Sequence, residues 1–271
     1  MPTTTTLPKT NLNIDVASLS DRGKKRSLNE DAIFDFTTTQ AGTQAGLYMV
    51  CDGRGGYMAG DVASQLAVET VVAEMVPVVS KCQAMKAQDR DFPAPEVQRY
   101  IADAVSKANQ RIYSYNQEEA SAYARTTLTM AFLQDQEAIV ANVGDSRAYI
   151  WHKGQLTQIT HSDSIAIGAG DEQEFAVDAA SQELWTTNQN WEMGLNHTVK
   201  VELFEWELEA GDKLLLCSDG LWQAFADEEE LAAFLYRNRD AHDICQELVF
   251  EANRRDGSNN ISVVVICAEC C

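Results

Sequence analysis

Short runs of apolar residues, most of them alternating with polar ones, dominate this chain and are typical of β-strands. The segments NIDVASLS (residues 13–20), AIFDF (32–36) and GLYMVCDG (46–53) predict three strands near the N-terminus. From Asp61 the apolar spacing changes to three and four residues, which predicts an amphipathic helix running toward Pro77. After a linker, the sequence predicts a second helix from Glu96 to about Glu118.

The second half of the chain predicts mainly antiparallel strands. Residues 126–160 form a meander pattern whose turns are too short for parallel crossovers. After an irregular stretch at 162–197, further strands are predicted within 199–217, helices within 227–238 and 241–255, and a last strand at 261–268. We therefore expect one α+β domain over 12–267, a disordered Thr-rich tail at 1–11 and a C-terminal tail at 268–271.

Charge and composition limit the range of partners. With 41 acidic against 21 basic residues the net charge is -20, which disfavours binding to nucleic acid or an anionic membrane. We find no apolar stretch approaching the roughly 20 residues that span a bilayer and no signal peptide, so we expect a cytoplasmic protein. The seven cysteines are an odd number and fit a reducing compartment. The terminal CAECC lacks the further ligands of a zinc site, which favours free thiols.

Carboxylates recur where the predicted strands begin or end. Asp52 and Asp219 each close an apolar run and precede glycine, Asp31 opens a strand, and Asp145 lies in a turn. A single Asp-Gly pair is an ordinary turn, but repeated carboxylates at strand ends indicate a shared site. Converging carboxylates need a compensating cation, and all-oxygen ligands suit Mg²⁺ or Mn²⁺, which activate water for hydrolysis.

A basic loop precedes the first of these carboxylates. Arg26 lies four residues before Glu30 in the segment KKRSLNED. A solvated loop is the simplest interpretation, but a guanidinium also binds phosphate oxygens bidentately, which favours a phosphorylated substrate. Other motifs fit less well: Gly53, Gly55 and Gly60 do not form the GxGxxG of a dinucleotide-binding turn, and the four histidines form no nucleophile-base arrangement.

Six motifs in order give the chain a family resemblance. They are RSLNEDA, VCDGRGGYMAGDVAS, TTLTMAF, ANVGDSRAYI, KLLLCSDGLW and DGSNNISVVV. The chain resembles the metal-dependent serine/threonine protein phosphatases of the type 2C (PPM) family, particularly the compact bacterial form, over residues 12–267. The resemblance implies a four-layer α-β-β-α sandwich of two antiparallel sheets flanked by helices, with metals at one edge.

The resemblance also implies a metal site with two Mn²⁺ or Mg²⁺ ions and a third, weaker one. Asp52 corresponds to the ligand that bridges both metals, and Gly53 to a ligand through its backbone carbonyl. Asp219 corresponds to a further ligand of the first metal. Asp145 corresponds to the ligand of the third metal.

Three further residues correspond to catalytic positions of the family. Arg26 matches the phosphate-binding arginine, Glu30 reaches the second metal largely through water, and Asp31 supports the same water network. The substrate implied is a phosphorylated protein of a serine/threonine kinase pathway, acted on by a monomer.

The chain departs from the family pattern at several positions. Asn259 stands where the family has a metal-binding aspartate, Arg54 and Tyr57 replace a methionine and a histidine, and 160–164 read THSDS. Because an amide supplies no negative charge, metal affinity is expected to fall. Two hypotheses follow: a phosphatase with weakened metal binding, which could serve a partner-switching pathway, or a pseudophosphatase that binds phosphoproteins and gains activity only in Asn259→Asp.

Overall fold

The computed structural model describes residues 12–40, 42–55, 59–88, 90, 92–119, 123–160, 192–236 and 239–270. Within these ranges the strands are β1 (Leu12–Asp21), β2 (Asp31–Gln40), β3 (Thr43–Arg54), β4 (Arg125–Thr126), β5 (Leu128–Gln134), β6 (Glu137–Val143), β7 (Arg147–His152), β8 (Gln155–Gln158), β9 (Glu202–Glu207), β10 (Lys213–Cys217) and β11 (Ile261–Cys270). The helices are α1 (Ala59–Lys86), α2 (Ala94–Glu118), α3 (Asp219–Trp222), α4 (Glu228–Leu235) and α5 (Ala241–Arg255). The predicted tail at 1–11 and most of the irregular stretch at 162–197 lie outside the described residues.

The strands form two antiparallel sheets. One has the order β1-β11-β10-β7-β8, and the other β2-β3-β5-β6-β9 with β4 beside β3. Helices α1 and α2 pack on the second sheet, while α4 and α5 pack on the first. This is the four-layer α-β-β-α sandwich that the resemblance implied, so the fold prediction is confirmed.

Strand β3 shows how the sequence builds the layers. Leu47, Met49 and Cys51 face the α1 and α2 helices, whereas Tyr48 and Val50 lie between the two sheets. All five side chains are fully buried, so both faces of the strand contribute to hydrophobic layers, as the two-residue period of a strand requires. Burial on both faces fixes the position of β3, and the C-terminal end of the strand lies at one edge of the sandwich.

Helix α1 differs from the prediction in its length and in its apolar composition. It continues through Pro77 to Lys86, although proline removes one backbone hydrogen bond, because Met75, Val79 and Cys82 remain fully buried in its packed face. By length and composition α1 also qualifies as a candidate membrane span, so the expectation of no such stretch was wrong. In this fold the helix packs against β3 and α2.

The last strand is longer than predicted. Residues 268–270, assigned above to a tail, continue β11 because their backbone pairs with β1, where Leu12 lies opposite Cys270. Cys267 is buried and Cys270 is exposed, because both faces of β11 are covered as far as Ala268 and neither is covered beyond it. The two residues are three apart on the strand and also point to opposite faces. The two thiols therefore do not converge as zinc ligands.

Candidate active site

The predicted carboxylates meet at one edge of the sandwich. Asp31 opens β2 and lies directly opposite Asp52 near the end of β3. Asp219 begins α3 immediately after β10, and Asp145 lies in the turn between β6 and β7. Both sheets thus contribute strand ends to the same place.

A cavity of about 250 Å³ opens at this edge. Its lining residues are Arg26, Glu30, Asp52, Gly53, Arg54, Gly55, Asp219, Asn259 and Asn260. Asp31 is buried beside it, and Asp145 joins the cluster through Arg54. The structure therefore brings all the sequence-predicted site residues together. Tyr57 and residues 161–164 lie outside the described residues.

Asn260 ties the loop that carries Arg26 and Glu30 to the start of β11. Its side-chain oxygen accepts a hydrogen bond from the Glu30 backbone N–H at 3.0 Å. Its amide donates to the carbonyls of Arg22 at 2.8 Å and Leu28 at 2.9 Å. Every polar atom of this amide is used to hold the loop, which places Glu30 at the cavity.

Burial and mutual repulsion dominate the electrostatics of the two aspartates on β2 and β3. Burial raises the pKa of Asp31 to about 6, while hydrogen bonds from Ser262 and Ser218 lower it. Burial also raises the pKa of Asp52 well above its ordinary range, and the charges of Asp31 and Asp219 raise it further. Ionised, these carboxylates need a cation close by.

Asp31→Asn is expected to stabilise the metal-free protein at neutral pH. The folded pKa of about 6 lies above the ordinary 3.8, so this group's contribution to stability falls as pH rises between those values and stays low above them. We expect a gain of roughly 1 to 3 kcal/mol at pH 7 that fades toward pH 4. Urea unfolding of chelator-treated protein at both pH values measures it, with the exposed Asp35→Asn as control. A variant less stable than the wild type at pH 7 contradicts the prediction.

Arg54 supplies the nearest cation, a role that sequence reasoning missed. Its Nη2 lies 2.9 Å from Asp219 Oδ2, 3.0 Å from both oxygens of Asp145 and 3.3 Å from Asp52 Oδ2. Burial lowers the pKa of Arg54, but the surrounding carboxylates outweigh that effect and raise it. The available signal was a charged residue, in place of the family's methionine, directly after the Asp-Gly pair.

Glu192 is a second residue that the sequence did not single out. Its side chain is 2% exposed and accepts from Arg54 Nη1 at 3.0 Å. Its other oxygen lies 2.9 Å from Arg125 Nε. Because Arg54 and Arg125 are cross-strand partners on β3 and β4, one buried carboxylate pairs with two adjacent arginines.

The donor atoms have the chemistry of a divalent cation site, but their arrangement does not. Carboxylates, the Gly53 carbonyl and the Asn259 amide oxygen suit Mg²⁺ or Mn²⁺. However, the Arg54 guanidinium fills the space between the carboxylates, and Asn259 Nδ2 donates to Asp219 Oδ1. Over the described part of the chain, no group of three or more His, Cys, Asp or Glu side chains is placed to hold a metal. In this arrangement the residues do not fit a divalent cation.

Comparison with known proteins extends the resemblance. The serine/threonine phosphatase stp of Listeria monocytogenes is 28% identical over 250 residues, 91% of this chain and 93% of that protein. The structure of the S. agalactiae serine/threonine phosphatase matches with a TM-score of 0.72 and 26% identity, covering 94% of this chain and 99% of that one.

The catalytic domain of the phosphatase PstP, solved in complex with two manganese ions, matches with a TM-score of 0.70 and 28% identity. It covers 95% of this chain and 99% of that domain. The family model for protein phosphatase 2C matches residues 21–246. The chain belongs to the protein phosphatase 2C family.

Proposed function

We propose that this protein is a serine/threonine phosphatase that hydrolyses phosphoserine and phosphothreonine in other proteins. The observation that carries the proposal is the convergence of Arg26, Glu30, Asp52 and Asp219 on one cavity in a chain of this family. The relatives named above are described as phosphatases. The pseudophosphatase alternative has no specific support from them.

Phosphate recognition is assigned to Arg26. Its side chain is exposed at the cavity, beside Glu30. Burial raises the pKa of Glu30, while the Arg26 charge lowers it, so the two side chains interact. A guanidinium at the mouth of an acidic cavity can bind a phosphoryl group bidentately, whereas the carboxylates repel it.

Phosphatases of this family are metal-dependent, and we extend this to the chain as part of the proposal. The ions would be two Mn²⁺ or Mg²⁺, which the two manganese ions of PstP support, and a third, weaker one at Asp145, which rests on the resemblance alone. Binding them at Asp52 and Asp219 requires that the Arg54 guanidinium leave its present position. We further propose that the protein is monomeric and cytoplasmic and that its substrate belongs to a serine/threonine kinase pathway. The net charge of -20 supports a partner other than nucleic acid or membrane.

Arg26→Ala is expected to raise KM for a phosphothreonine peptide about tenfold, with a smaller change in kcat, because a charge-assisted contact to phosphate is lost. Steady-state kinetics measure both constants. Lys25→Ala is the matched control, since Lys25 is a neighbouring cation whose ammonium pairs with Asp256. Equal KM values for Arg26→Ala and Lys25→Ala would show that Arg26 does not bind the phosphate.

Phosphate release from matched phosphoserine, phosphothreonine and phosphotyrosine peptides tests the proposed function. The wild type and Asn259→Asp are assayed side by side with Mn²⁺, with Mg²⁺ and with chelator. The proposal predicts release by the wild type from the first two peptides with metal present. No release by the folded wild type with metal in excess contradicts it, and release only by Asn259→Asp identifies the pseudophosphatase.

A further inference from the structure

We propose that Arg54 is a tethered counter-ion in the cation position of this site, so that a divalent metal binds only in competition with the Arg54 side chain. The inference deepens the proposed function and rests on it for the identity of the metal. It concerns the occupancy of the site and can be tested without turnover.

Arg54 engages the carboxylate oxygens that a metal would need. Both oxygens of Asp145 and one each of Asp52 and Asp219 lie 2.9–3.3 Å from its Nη2. The remaining oxygen of Asp219 accepts from Asn259 Nδ2. Charge-assisted hydrogen bonds of this kind are roughly twice as strong as neutral ones. A metal that takes these oxygens must first displace the N–H donors.

The Arg54 guanidinium is also held in this position from its other side. Nη1 donates to the buried Glu192, which also pairs with Arg125. The backbone of Arg54 belongs to β3 and lies opposite Arg125 of β4. A surface arginine that reached the carboxylates by chance would have neither the buried partner nor the fixed backbone. The arrangement therefore positions Arg54 toward the cluster.

The net charge of the cluster also differs from the family pattern. Relative to the family pattern, Arg54 adds one positive charge and Asn259 removes one negative charge. Both changes reduce the repulsion among the carboxylates of the metal-free site, and both reduce its attraction for a divalent ion. The two departures therefore act in the same direction, toward a cluster that is stable without metal.

Mn²⁺ binding to chelator-treated protein, measured by isothermal titration calorimetry, tests the proposal. Arg54→Met, which places the family's residue at this position, is expected to lower the Kd for Mn²⁺ at least about tenfold relative to the wild type. Arg111→Met is the matched control, because Arg111 is an exposed arginine on α2 that pairs with Glu69, and its Kd should equal that of the wild type. A folded Arg54→Met variant with an unchanged or higher Kd overturns the proposal.

Thermal unfolding gives a second, independent readout. Without its counter-ion the metal-free Arg54→Met variant should melt at a lower temperature than the wild type, and Mn²⁺ should raise its Tm by more than it raises that of the wild type. Equal Tm shifts overturn the proposal. If Arg54→Met does not fold even with Mn²⁺, Arg54→Gln decides, since its neutral amide can keep the hydrogen bond to Glu192. A lower Kd supports the proposal and an unchanged one overturns it.

These results separate the proposal from the proposed function. Tighter Mn²⁺ binding by Arg54→Met without phosphate release leaves the counter-ion role standing and contradicts only the phosphatase assignment. If phosphate is released but the wild type and Arg54→Met bind Mn²⁺ with equal affinity, the phosphatase assignment stands and the counter-ion role is contradicted.

Discussion

Asp52→Asn is expected to reduce phosphate release from a phosphothreonine peptide at least about 100-fold and to leave the protein folded. Asp52 is 4% exposed, lies opposite Asp31 and contacts Arg54, so its carboxylate is at the centre of the charged cluster. An amide of the same shape carries no charge and cannot balance the cation that this position needs, whether guanidinium or metal. Initial-rate kinetics at saturating Mn²⁺ measure the loss.

The fold should tolerate Asp52→Asn because its backbone is held independently of the carboxylate. The Asp52 N–H donates to Thr127 Oγ1 at 3.0 Å, and its carbonyl accepts from the Thr127 N–H at 3.0 Å. Asp103→Asn, at an exposed position on α2, is the matched control and should keep full activity. A folded Asp52→Asn variant that retains more than about a tenth of the wild-type rate contradicts the assignment of this site.

Gly53→Ala is expected to impair both stability and activity. A Cβ at this position would lie 2.1 Å from the Gly60 carbonyl oxygen and 2.4 Å from the Glu30 carbonyl oxygen. Both contacts are with backbone, so relief requires that β3 move away from the start of α1 and from the loop holding Glu30. We expect a loss of about 2 kcal/mol in the free energy of unfolding, with phosphate release reduced about tenfold or more. Urea unfolding and the peptide assay measure the two effects.

Gly154→Ala is the control that distinguishes displacement of the site from the backbone strain of placing alanine at a glycine with positive φ. Gly154 has a φ of +88° and open space around its Cβ position, so alanine should cost about 1 kcal/mol of stability with no loss of activity. If Gly53→Ala behaves like Gly154→Ala, the close approach of Gly53 to Glu30 and Gly60 does not matter to the site.

The strands and the α+β class were predictable from the sequence because strand patterning is local, whereas the four-layer arrangement was implied only by the family resemblance. The consecutive apolar residues of β3 and of β11 are typical of strands buried on both faces, and both strands are buried in this way. Helix α1 was predicted, but its full length was not, since its continuation past Pro77 depends on packing against β3 and α2 that the sequence does not display. Tertiary burial outweighed a local helix-breaking signal there.

The candidate site shows the same division. Asp31, Asp52 and Asp219 were predictable because a short residue at a strand end has little choice of direction. The long side chain of Arg54 could point in several directions, and the observed direction depends on its hydrogen bond to Glu192, which is 138 residues away in sequence. The residue could be recognised as a departure from the family, but its position among the carboxylates follows only from the fold.

The most direct test of this account is phosphate release from a phosphothreonine peptide by chelator-treated protein as Mn²⁺ is added stepwise, with the wild type and Asp52→Asn in parallel. The account predicts no release in chelator, a saturable rise with Mn²⁺ for the wild type and almost none for Asp52→Asn. A folded wild type that releases no phosphate at any Mn²⁺ concentration, or an equal rate from Asp52→Asn, would contradict it.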